Sequence, residues 1–290
     1  MTIGLLASGN LGSVILNDLI ANQEVSLAFV YTDSKSTSII ETCHQYHIPL
    51  FVGNQRNGKS FSFLNSVDTP QLLLSVNYLF IIEKDVIAKT SGYAINIHGS
   101  LLPKYRGRTP HVWAIINNDK ITGVTAHIIE EGCDEGDIVL QKEVPILDSY
   151  TGQDLLNVFN ALYPKMVEEI IQKVKTNTVE LVKQNNINAT FFEKRTADDG
   201  KINFDWQKER IYNWVRAQAR PYPGAFCFVN NQKVVIHKVS YSNFGFKQSM
   251  PNGLVVEIES DAIFVKTQNG VLKVMDMETN TKLKIGDILL

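Results

Sequence analysis

The sequence predicts an α/β protein in which a doubly wound, mostly parallel sheet is followed by a smaller β-rich, barrel-like domain. Over the first 140 residues, short and nearly continuous apolar runs alternate with helical patterns, as in a parallel sheet that is covered on both faces. From residue 225 the chain becomes short strands separated by the turn sequences NN, SN, PNG and QNG. This change places a boundary near residue 200, so we expect domains at 1–200 and 201–290.

The predicted elements of the first domain follow one another in strand–helix order. Strands are predicted at residues 3–7, 25–31, 48–51, within 72–82, 94–98, 121–129 and 137–144. Helices are predicted at residues 13–21, 36–46, 85–89, from 110 onward and 155–176, with a further helix at 208–219. Thr109 and Pro110 read as an N-cap followed by proline at the first helical position.

Composition indicates an ordinary globular protein, with 44% apolar and 20% charged residues among 290. No basic leader precedes the first apolar run, so a secretory signal is not expected. The apolar stretch at 72–82 is interrupted by Ser75 and Asn77 and is too short to span a bilayer. Cys43, Cys133 and Cys227 form neither a disulfide framework nor a zinc pattern. We therefore expect a cytoplasmic enzyme without membrane contact.

Charge is unevenly distributed along the chain. Residues 201–290 carry 12 Lys/Arg against 8 Asp/Glu, a net of +4, and the first 200 residues carry 16 against 22, a net of −6. This asymmetry permits an anionic ligand near the C-terminal part. It is too small to indicate a nucleic-acid surface by itself.

Two motifs carry only weak predictions. SGNLG, with Gly9 and Gly12, follows the first strand but lacks the full dinucleotide fingerprint and its acidic partner, so we do not expect NAD. The turn can still meet an anion at a helix N-terminus. His44 and His47 have no carboxylate or cysteine pattern beside them, and two solvated helix histidines explain them better than a metal site does. No metal is expected.

The stretch NIHGSLLPKYRG at residues 96–107 carries the strongest chemical signal. Asn96 and His98 lie two apart on a predicted strand, so both side chains point to the same side of the sheet. Ligand sites in such sheets lie at the carboxyl ends of the strands. An imidazole can take a proton at neutral pH and an amide can donate to an oxygen that gains charge. The acidic loop at 130–137 could supply a carboxylate to orient the imidazole.

This stretch, followed 36 residues after His98 by Asp134 in CDEGD, resembles the signature of the 10-formyltetrahydrofolate-dependent formyltransferases. The resemblance continues through TGVTAHIIEEGCDEGDIVLQ, RTADDGKINFDW and VRAQARPYPGAF, and so covers nearly the whole chain. It implies a Rossmann-like catalytic domain and a smaller C-terminal β domain. It also implies a catalytic triad of Asn96, His98 and Asp134, in which Asn96 stabilises the oxyanion, His98 is the base and Asp134 orients His98.

The resemblance also implies the two substrates. The folate co-substrate, 10-formyltetrahydrofolate, is expected to contact Tyr78, Leu79, Phe80, Ile128, Ile129 and Glu130. The segment at 32–42 is short and has one lysine, where methionyl-tRNA formyltransferases have a long basic insertion. PKYRGRTP, KRTADDG and RPYPGAF resemble instead the nucleotide-sugar formyltransferases. A nucleotide-linked amino sugar is therefore the expected acceptor, with methionyl-tRNA as the alternative.

Acceptor contacts are predicted around a basic turn next to the catalytic strand. A diphosphate clamp and a solvated loop explain Lys104, Arg106 and Arg108 about equally well. The predicted acceptor contacts are Ser8, Asn10, Lys104, Tyr105, Arg106 and Arg195. A formyl hydrolase and an inactive binding protein on the same scaffold stay open as further alternatives. The sugar, its nucleotide and the oligomeric state stay open too, although relatives are often dimers.

Overall fold

The computed structural model describes all 290 residues, and these form two compact units. The first unit comprises Met1–Gly107, Gly123–Val144 and Val158–Phe191. The second unit comprises Arg108–Thr122, Pro145–Asn157 and Phe192–Leu290. The stretches at 108–122 and 145–157, which the sequence places in the first domain, are thus grouped with the C-terminal segment. A domain boundary near residue 200 stays a prediction.

Fourteen strands and seven α-helices make up the chain. The strands are β1 (Thr2–Ala7), β2 (Ser26–Thr32), β3 (Leu50–Val52), β4 (Leu72–Val76), β5 (Tyr93–His98), β6 (Arg106–Gly107), β7 (Ile121–Ile128), β8 (Ile138–Pro145), β9 (Phe191–Phe192), β10 (Ala225–Val229), β11 (Gln232–Ser242), β12 (Val255–Glu259), β13 (Ala262–Thr267) and β14 (Gly270–Glu278). The helices are α1 (Gly9–Ala21), α2 (Thr37–Gln45), α3 (Phe61–Ser66), α4 (Lys84–Ile87), α5 (Pro110–Ile116), α6 (Gly152–Lys175) and α7 (Lys208–Ala217).

A seven-stranded sheet with the order β3-β2-β1-β4-β5-β7-β8 confirms the predicted α/β class. The pairings from β3 through β5 are parallel, and β7 joins β5 in the antiparallel direction. Neighbours along the chain are joined through helices, so the carboxyl ends of β4 and β5 meet at one edge of the sheet. The polar end of β5 therefore lies where a ligand site is expected.

Apolar side chains from β1, β2, β4 and β5 fill the interior beneath this edge. Phe29 and Tyr31 of β2 are fully buried and stack edge to face with ring centroids 5.6 Å apart. On the other side of β1, Gly12 permits close helix packing, because a Cβ there would lie 2.9 Å from the Ala7 Cβ. Gly12 of SGNLG thus has a packing role.

Some local predictions differ from the structure. α1 begins at Gly9 instead of residue 13, and α3 was not predicted. Thr109 occupies the N-cap position of α5, as predicted, but its φ is +50° and its hydroxyl makes no capping hydrogen bond. The predicted N-cap residue and the proline after it are confirmed, without the side-chain hydrogen bond that a threonine cap often adds.

The second unit is built on a five-stranded antiparallel sheet with the order β10-β11-β14-β13-β12. α5 and α7 pack together within this unit. The predicted β-rich C-terminal part is confirmed. None of the helices has the length and apolar character that a bilayer span requires.

Candidate active site

Asn96 and His98 occupy the end of β5, and their alternate positions on the strand place them on one side of the sheet, as predicted. β7 runs alongside, and its register sets His127 opposite Asn96 and Thr125 opposite His98. The loop after β7 brings Asp134 to the same place. The structure therefore brings the three predicted catalytic residues into one cluster and adds His127, which the sequence interpretation missed.

His98 is almost fully buried, with 7% of its surface exposed, and both ring nitrogens face protein groups. Nε2 lies 2.8 Å from the backbone oxygen of Tyr105, and Nδ1 lies 3.6 Å from Oδ2 of Asp134. Because a carbonyl oxygen can only accept, Nε2 carries the proton in the neutral ring and Nδ1 keeps the lone pair. Burial lowers the pKa of His98 below 6.5 and outweighs the opposing effect of Asp134. Nδ1 is therefore a neutral base at neutral pH.

Asp134 stands beside both imidazoles in a left-handed backbone conformation with φ +56°, which aspartate tolerates better than most residues. Its Oδ2 accepts a hydrogen bond from the backbone N–H of Gly107 at 2.9 Å. Burial raises the pKa of Asp134, but the groups around the carboxylate, with His98 the largest, outweigh burial and hold the pKa well below its usual value. The carboxylate is thus ionised and can stabilise a proton that arrives on His98.

Asn96 reaches the cluster through His127. The Asn96 Nδ2 lies 3.1 Å from Nε2 of His127, and that same Nε2 lies 3.4 Å from Oδ1 of Asp134. His127 is 3% exposed. In the sequence it is a single histidine within an apolar strand, a pattern typical of a core residue. Its position beside Asn96 depends on how β5 pairs with β7, and this register cannot be predicted from the local sequence.

Arg106 does not project into solvent as a clamp would, because it is 1% exposed and its guanidinium is held by neighbours. Its Nε and Nη2 donate to Oε1 of Gln184 at 3.1 and 2.7 Å, and Nη2 also donates to Asn186 Oδ1 at 2.7 Å. Gln184 Nε2 in turn donates to the backbone oxygens of Asp134 and Gly136 at 2.8 and 2.7 Å. Arg106 and Gln184 therefore fix the loop that carries Asp134, and this burial weighs against a diphosphate contact at Arg106.

The other residues of the basic turn differ in exposure. Lys104 is exposed, and Tyr105 is buried with φ +61°. A positive φ is strained for a tyrosine, and here it accompanies the carbonyl that binds His98 Nε2. The sequence predicts Tyr105 as an acceptor contact within the basic turn. In the structure, Tyr105 contacts His98 through its backbone oxygen.

At the start of α1, Ser8 is buried and Asn10 is exposed. The N–H of Gly9 donates to Ser36 Oγ at 2.8 Å, and Ser36 Oγ donates in turn to Asp33 Oδ2 at 2.5 Å. Burial raises the pKa of Asp33, but hydrogen bonds from Ser36, Lys35 and Ser8 outweigh it and lower the pKa overall. An ionised carboxylate thus already lies at this helix N-terminus, which disfavours a phosphate there.

Arg195 belongs to the second unit, where two tryptophans enclose it. Its guanidinium carbon lies 4.8 Å from the Trp113 ring centroid and 4.5 Å from that of Trp214. Nη2 donates to the backbone oxygen of Asp199 and to Gln218 Oε1. These contacts give Arg195 a packing role within its own unit.

The six predicted folate contacts lie on two adjoining segments of the first unit. Tyr78, Leu79 and Phe80 follow β4, while Ile128 ends β7 and Ile129 and Glu130 follow it. Tyr78 and Ile129 pack on the same apolar cluster, and the Tyr78 hydroxyl donates to Gln55 Oε1 at 2.9 Å. Leu79 is 45% exposed and Glu130 is exposed. Apolar side chains, one of them partly exposed, are thus present where the folate was predicted.

The histidine pair of the sequence does not form a metal site in the structure. His44 and His47 are both exposed at the end of α2. No group of three or more His, Cys, Asp or Glu side chains is arranged to hold a metal ion.

Solved structures with this fold cover almost the entire chain. WlaRD, a sugar 3N-formyl transferase solved in the presence of dTDP and 5-N-formyl-THF, superposes with a TM-score of 0.74 over 98% of this chain and 99% of that chain, at 22% identity. The N-formyltransferase of Helicobacter canadensis, in complex with folinic acid and dTDP-3-aminofucose, gives a TM-score of 0.74 over 95% and 99%, also at 22% identity. At these identities the likeness concerns the fold.

Sequence relatives are closer. A methionyl-tRNA formyltransferase of Thermodesulfovibrio yellowstonii is 34% identical over 73% of this chain and 67% of its own length. That of Ruminiclostridium cellulolyticum is 31% identical over 76% and 71%. Residues 3–171 match the family described as formyl transferase, and residues 194–288 match its C-terminal domain. The predicted resemblance is confirmed, and the chain belongs to the formyl transferase family.

Proposed function

We propose that this formyltransferase moves the formyl group of 10-formyltetrahydrofolate to the amine of a nucleotide-linked amino sugar. The observation that carries the choice of acceptor is the connection between β2 and α2, which consists of residues 33–36 alone. It contains one lysine, and its Asp33 side chain accepts hydrogen bonds from the Lys35 N–H and the Ser36 hydroxyl. Such a tight turn, with one aspartate and one lysine, offers no long basic surface for the phosphates of a tRNA arm.

The fold neighbours support this proposal, because WlaRD is a sugar 3N-formyl transferase and the Helicobacter canadensis structure contains dTDP-3-aminofucose. Both structures also contain a formylated folate or folinic acid, which supports the folate co-substrate. The curated relatives favour a second candidate, methionyl-tRNA formyltransferase. We give it second place because of the short 33–36 connection. A cytoplasmic location is part of the proposal.

The chemistry follows from the geometry of the cluster. A neutral amine attacks the formyl carbon, and an N–H of Asn96 donates to the carbonyl oxygen as it gains negative charge. His98 Nδ1 accepts the proton that the amine loses. Asp134 then lies opposite an imidazolium at 3.6 Å and stabilises it without needing to take the proton. As the tetrahedral intermediate collapses, the bond to the folate nitrogen breaks, and that nitrogen takes the proton from His98 and leaves as tetrahydrofolate. His98 is then neutral again.

For the acceptor contacts, the proposal retains Lys104 and Asn10, whose side chains are exposed, as candidates for direct contact with the nucleotide sugar. Lys104→Ala should raise KM for the acceptor and leave KM for the folate unchanged. Equal changes in both constants would remove Lys104 from the acceptor site. A lysine acts as a point charge, so Lys104→Arg should retain most of the affinity.

The experiment that tests the function offers the enzyme 10-formyltetrahydrofolate with each of several acceptors. The panel contains 4-amino and 3-amino sugars linked to UDP, dTDP or GDP, methionyl-tRNA, and water alone. Tetrahydrofolate release is followed by absorbance, and the product is identified by mass. Transfer to at least one sugar nucleotide supports the proposal. Transfer to methionyl-tRNA alone would establish the second candidate, and folate turnover without an acceptor would establish a hydrolase.

A further inference from the structure

His127 is the one member of the catalytic cluster that contacts both Asn96 and Asp134 through a single ring nitrogen. Its Nε2 lies 3.1 Å from Asn96 Nδ2 and 3.4 Å from Asp134 Oδ1. Its Nδ1 lies 2.8 Å from the backbone oxygen of Ile128. The side chain is 3% exposed, and β-sheet register fixes it opposite Asn96. Its place between two catalytic groups requires a chemical explanation.

The backbone contact decides which nitrogen carries the proton. The Ile128 oxygen can only accept, so Nδ1 of His127 donates and Nε2 of the neutral ring has a lone pair. The 3.4 Å approach of Nε2 to Asp134 Oδ1 is therefore not a hydrogen bond. That lone pair can accept one of the two N–H bonds of the Asn96 amide. The Ile128 backbone is itself held, because its N–H donates to the Asp137 oxygen at 2.9 Å and Gly136 packs so tightly that a Cβ there would lie 2.0 Å from the Ile128 oxygen.

We propose that His127 is a positioning residue that fixes the Asn96 amide with its NH2 group toward the formyl oxygen. This inference rests on the role of Asn96 in the proposed function. One N–H of Asn96 is engaged by His127, and the other remains directed for the oxyanion. Without an acceptor at Nε2, the amide can rotate by half a turn and present its oxygen, which would repel the developing negative charge.

The charged and titratable groups that face His127 set the conditions for the test. Asp134 lies in the loop after β7, and His98 lies on β5 and interacts with His127 through space. The test must therefore distinguish whether His127 affects catalysis through Asn96 or through Asp134. A double-mutant cycle makes that separation, because two residues that act through one contact give losses that do not add.

The variants are His127→Asn and His127→Gln, each alone and combined with Asn96→Ala. Asparagine is too short to place an acceptor at the Nε2 position, whereas the glutamine Oε1 can reach it. His127→Asn should lower kcat by about 10- to 100-fold, less than the roughly 10²–10³-fold that loss of a whole oxyanion donor costs. KM for folate and acceptor should not change. His127→Gln should recover most of kcat, and His127→Asn should lower kcat no further once Asn96 is alanine.

The measurements use kcat with whichever acceptor the wild-type enzyme formylates, so a wrong acceptor assignment leaves this test intact. His111→Asn is the matched control, because His111 is also buried but lies in the second unit, and it should keep the wild-type kcat.

Losses that multiply in the Asn96→Ala background would overturn the proposal. So would an unchanged kcat in His127→Asn, or a non-additive cycle with Asp134→Asn in place of Asn96→Ala. If His127→Asn does not fold, His127→Gln alone decides the question: a kcat near the wild-type value supports the proposal, and a kcat as low as that of Asn96→Ala overturns it.

Discussion

Two buried histidines, His98 in the first unit and His111 in the second, show how similar surroundings can yield different chemistry. His98 is 7% exposed and His111 is 9% exposed. Burial lowers the pKa of His111 to about 4, and its Nε2 lies 2.7 Å from the Tyr222 hydroxyl. Burial lowers the pKa of His98 as well, but Asp134 opposes it across 3.6 Å. A buried imidazole can serve as a base where a nearby carboxylate stabilises the positive charge that the ring acquires on protonation.

The comparison is tested most severely by replacing each imidazole. His98→Ala should reduce kcat by up to about 10⁴-fold, since it removes the group that takes the amine proton. Affinity for the nucleotide sugar should stay near the wild-type value, and binding calorimetry can verify it. His111→Ala should retain kcat. A folded His98→Ala enzyme with most of its kcat would show that the two histidines do not differ in function.

The second test removes the charge that distinguishes the two sites. Asp134→Asn should lower kcat by about 10²- to 10³-fold, because an amide does not stabilise an imidazolium. Triads in which the carboxylate also fixes the tautomer lose about 10⁴-fold. Here the Tyr105 carbonyl fixes the tautomer, so the loss should be smaller. Stopped-flow measurement of formyl transfer gives the value. Near-normal turnover would show that another group stabilises the His98 imidazolium, and Asp137 would be the first to examine.

A third test concerns the support of Asp134. Arg106→Ala should lower kcat by roughly 10-fold and leave KM for the sugar nucleotide unchanged, because Arg106 acts on the Asp134 loop through Gln184. Gln184→Ala should have the same effect, and the double variant should be no worse than either one. A rise in KM for the sugar nucleotide alone would restore the diphosphate contact that the sequence predicts.

The pH dependence sharpens the contrast further. As the proposed base, His98 must be neutral, and its pKa lies below 6.5, so kcat should stay level from neutral pH down past 6.5 and fall at lower pH. Asp134 raises the pKa of His98, so Asp134→Asn should move this acid limb to lower pH while reducing the plateau. Profiles of kcat at saturating substrates test both statements. An acid limb well above 6.5 would contradict a neutral buried base.

The smallest effect on activity is expected at His111, where the change should concern stability. A neutral histidine with a folded pKa of about 4 and an unfolded value of 6.5 binds fewer protons in the folded state, so stability falls as pH falls from 6.5 to 4. Its contribution is on the order of 3 kcal/mol. Denaturant titrations of His111→Gln should show a weaker decline over this range. An unchanged pH dependence would show that His111 does not carry this linkage.

Much of this arrangement could be predicted from the sequence, and the rest depended on contacts between distant segments. The strand end predicts Asn96 and His98, and the acidic loop at 130–137 predicts a nearby carboxylate, while the choice of Asp134 within that loop comes from the resemblance to the formyltransferases. Arg106 was read as a solvated or anion-binding residue because its partner Gln184 lies 78 positions away. His127 was missed for a similar reason, since its neighbour Asn96 is set by strand register. The fold class followed from the apolar periodicity, which is a local property of each strand and helix.

The division of the second compact unit among three stretches of chain has a consequence for recombination between relatives. A chimaera joined at residue 200 would keep α5, at Pro110–Ile116, from one parent and receive α7, at Lys208–Ala217, from the other, although these two helices pack together. A crossover that respects both units would require joints at five chain positions, after residues 107, 122, 144, 157 and 191. We therefore expect this unit to diverge between relatives by substitution of single residues instead of by exchange of the C-terminal segment as a cassette.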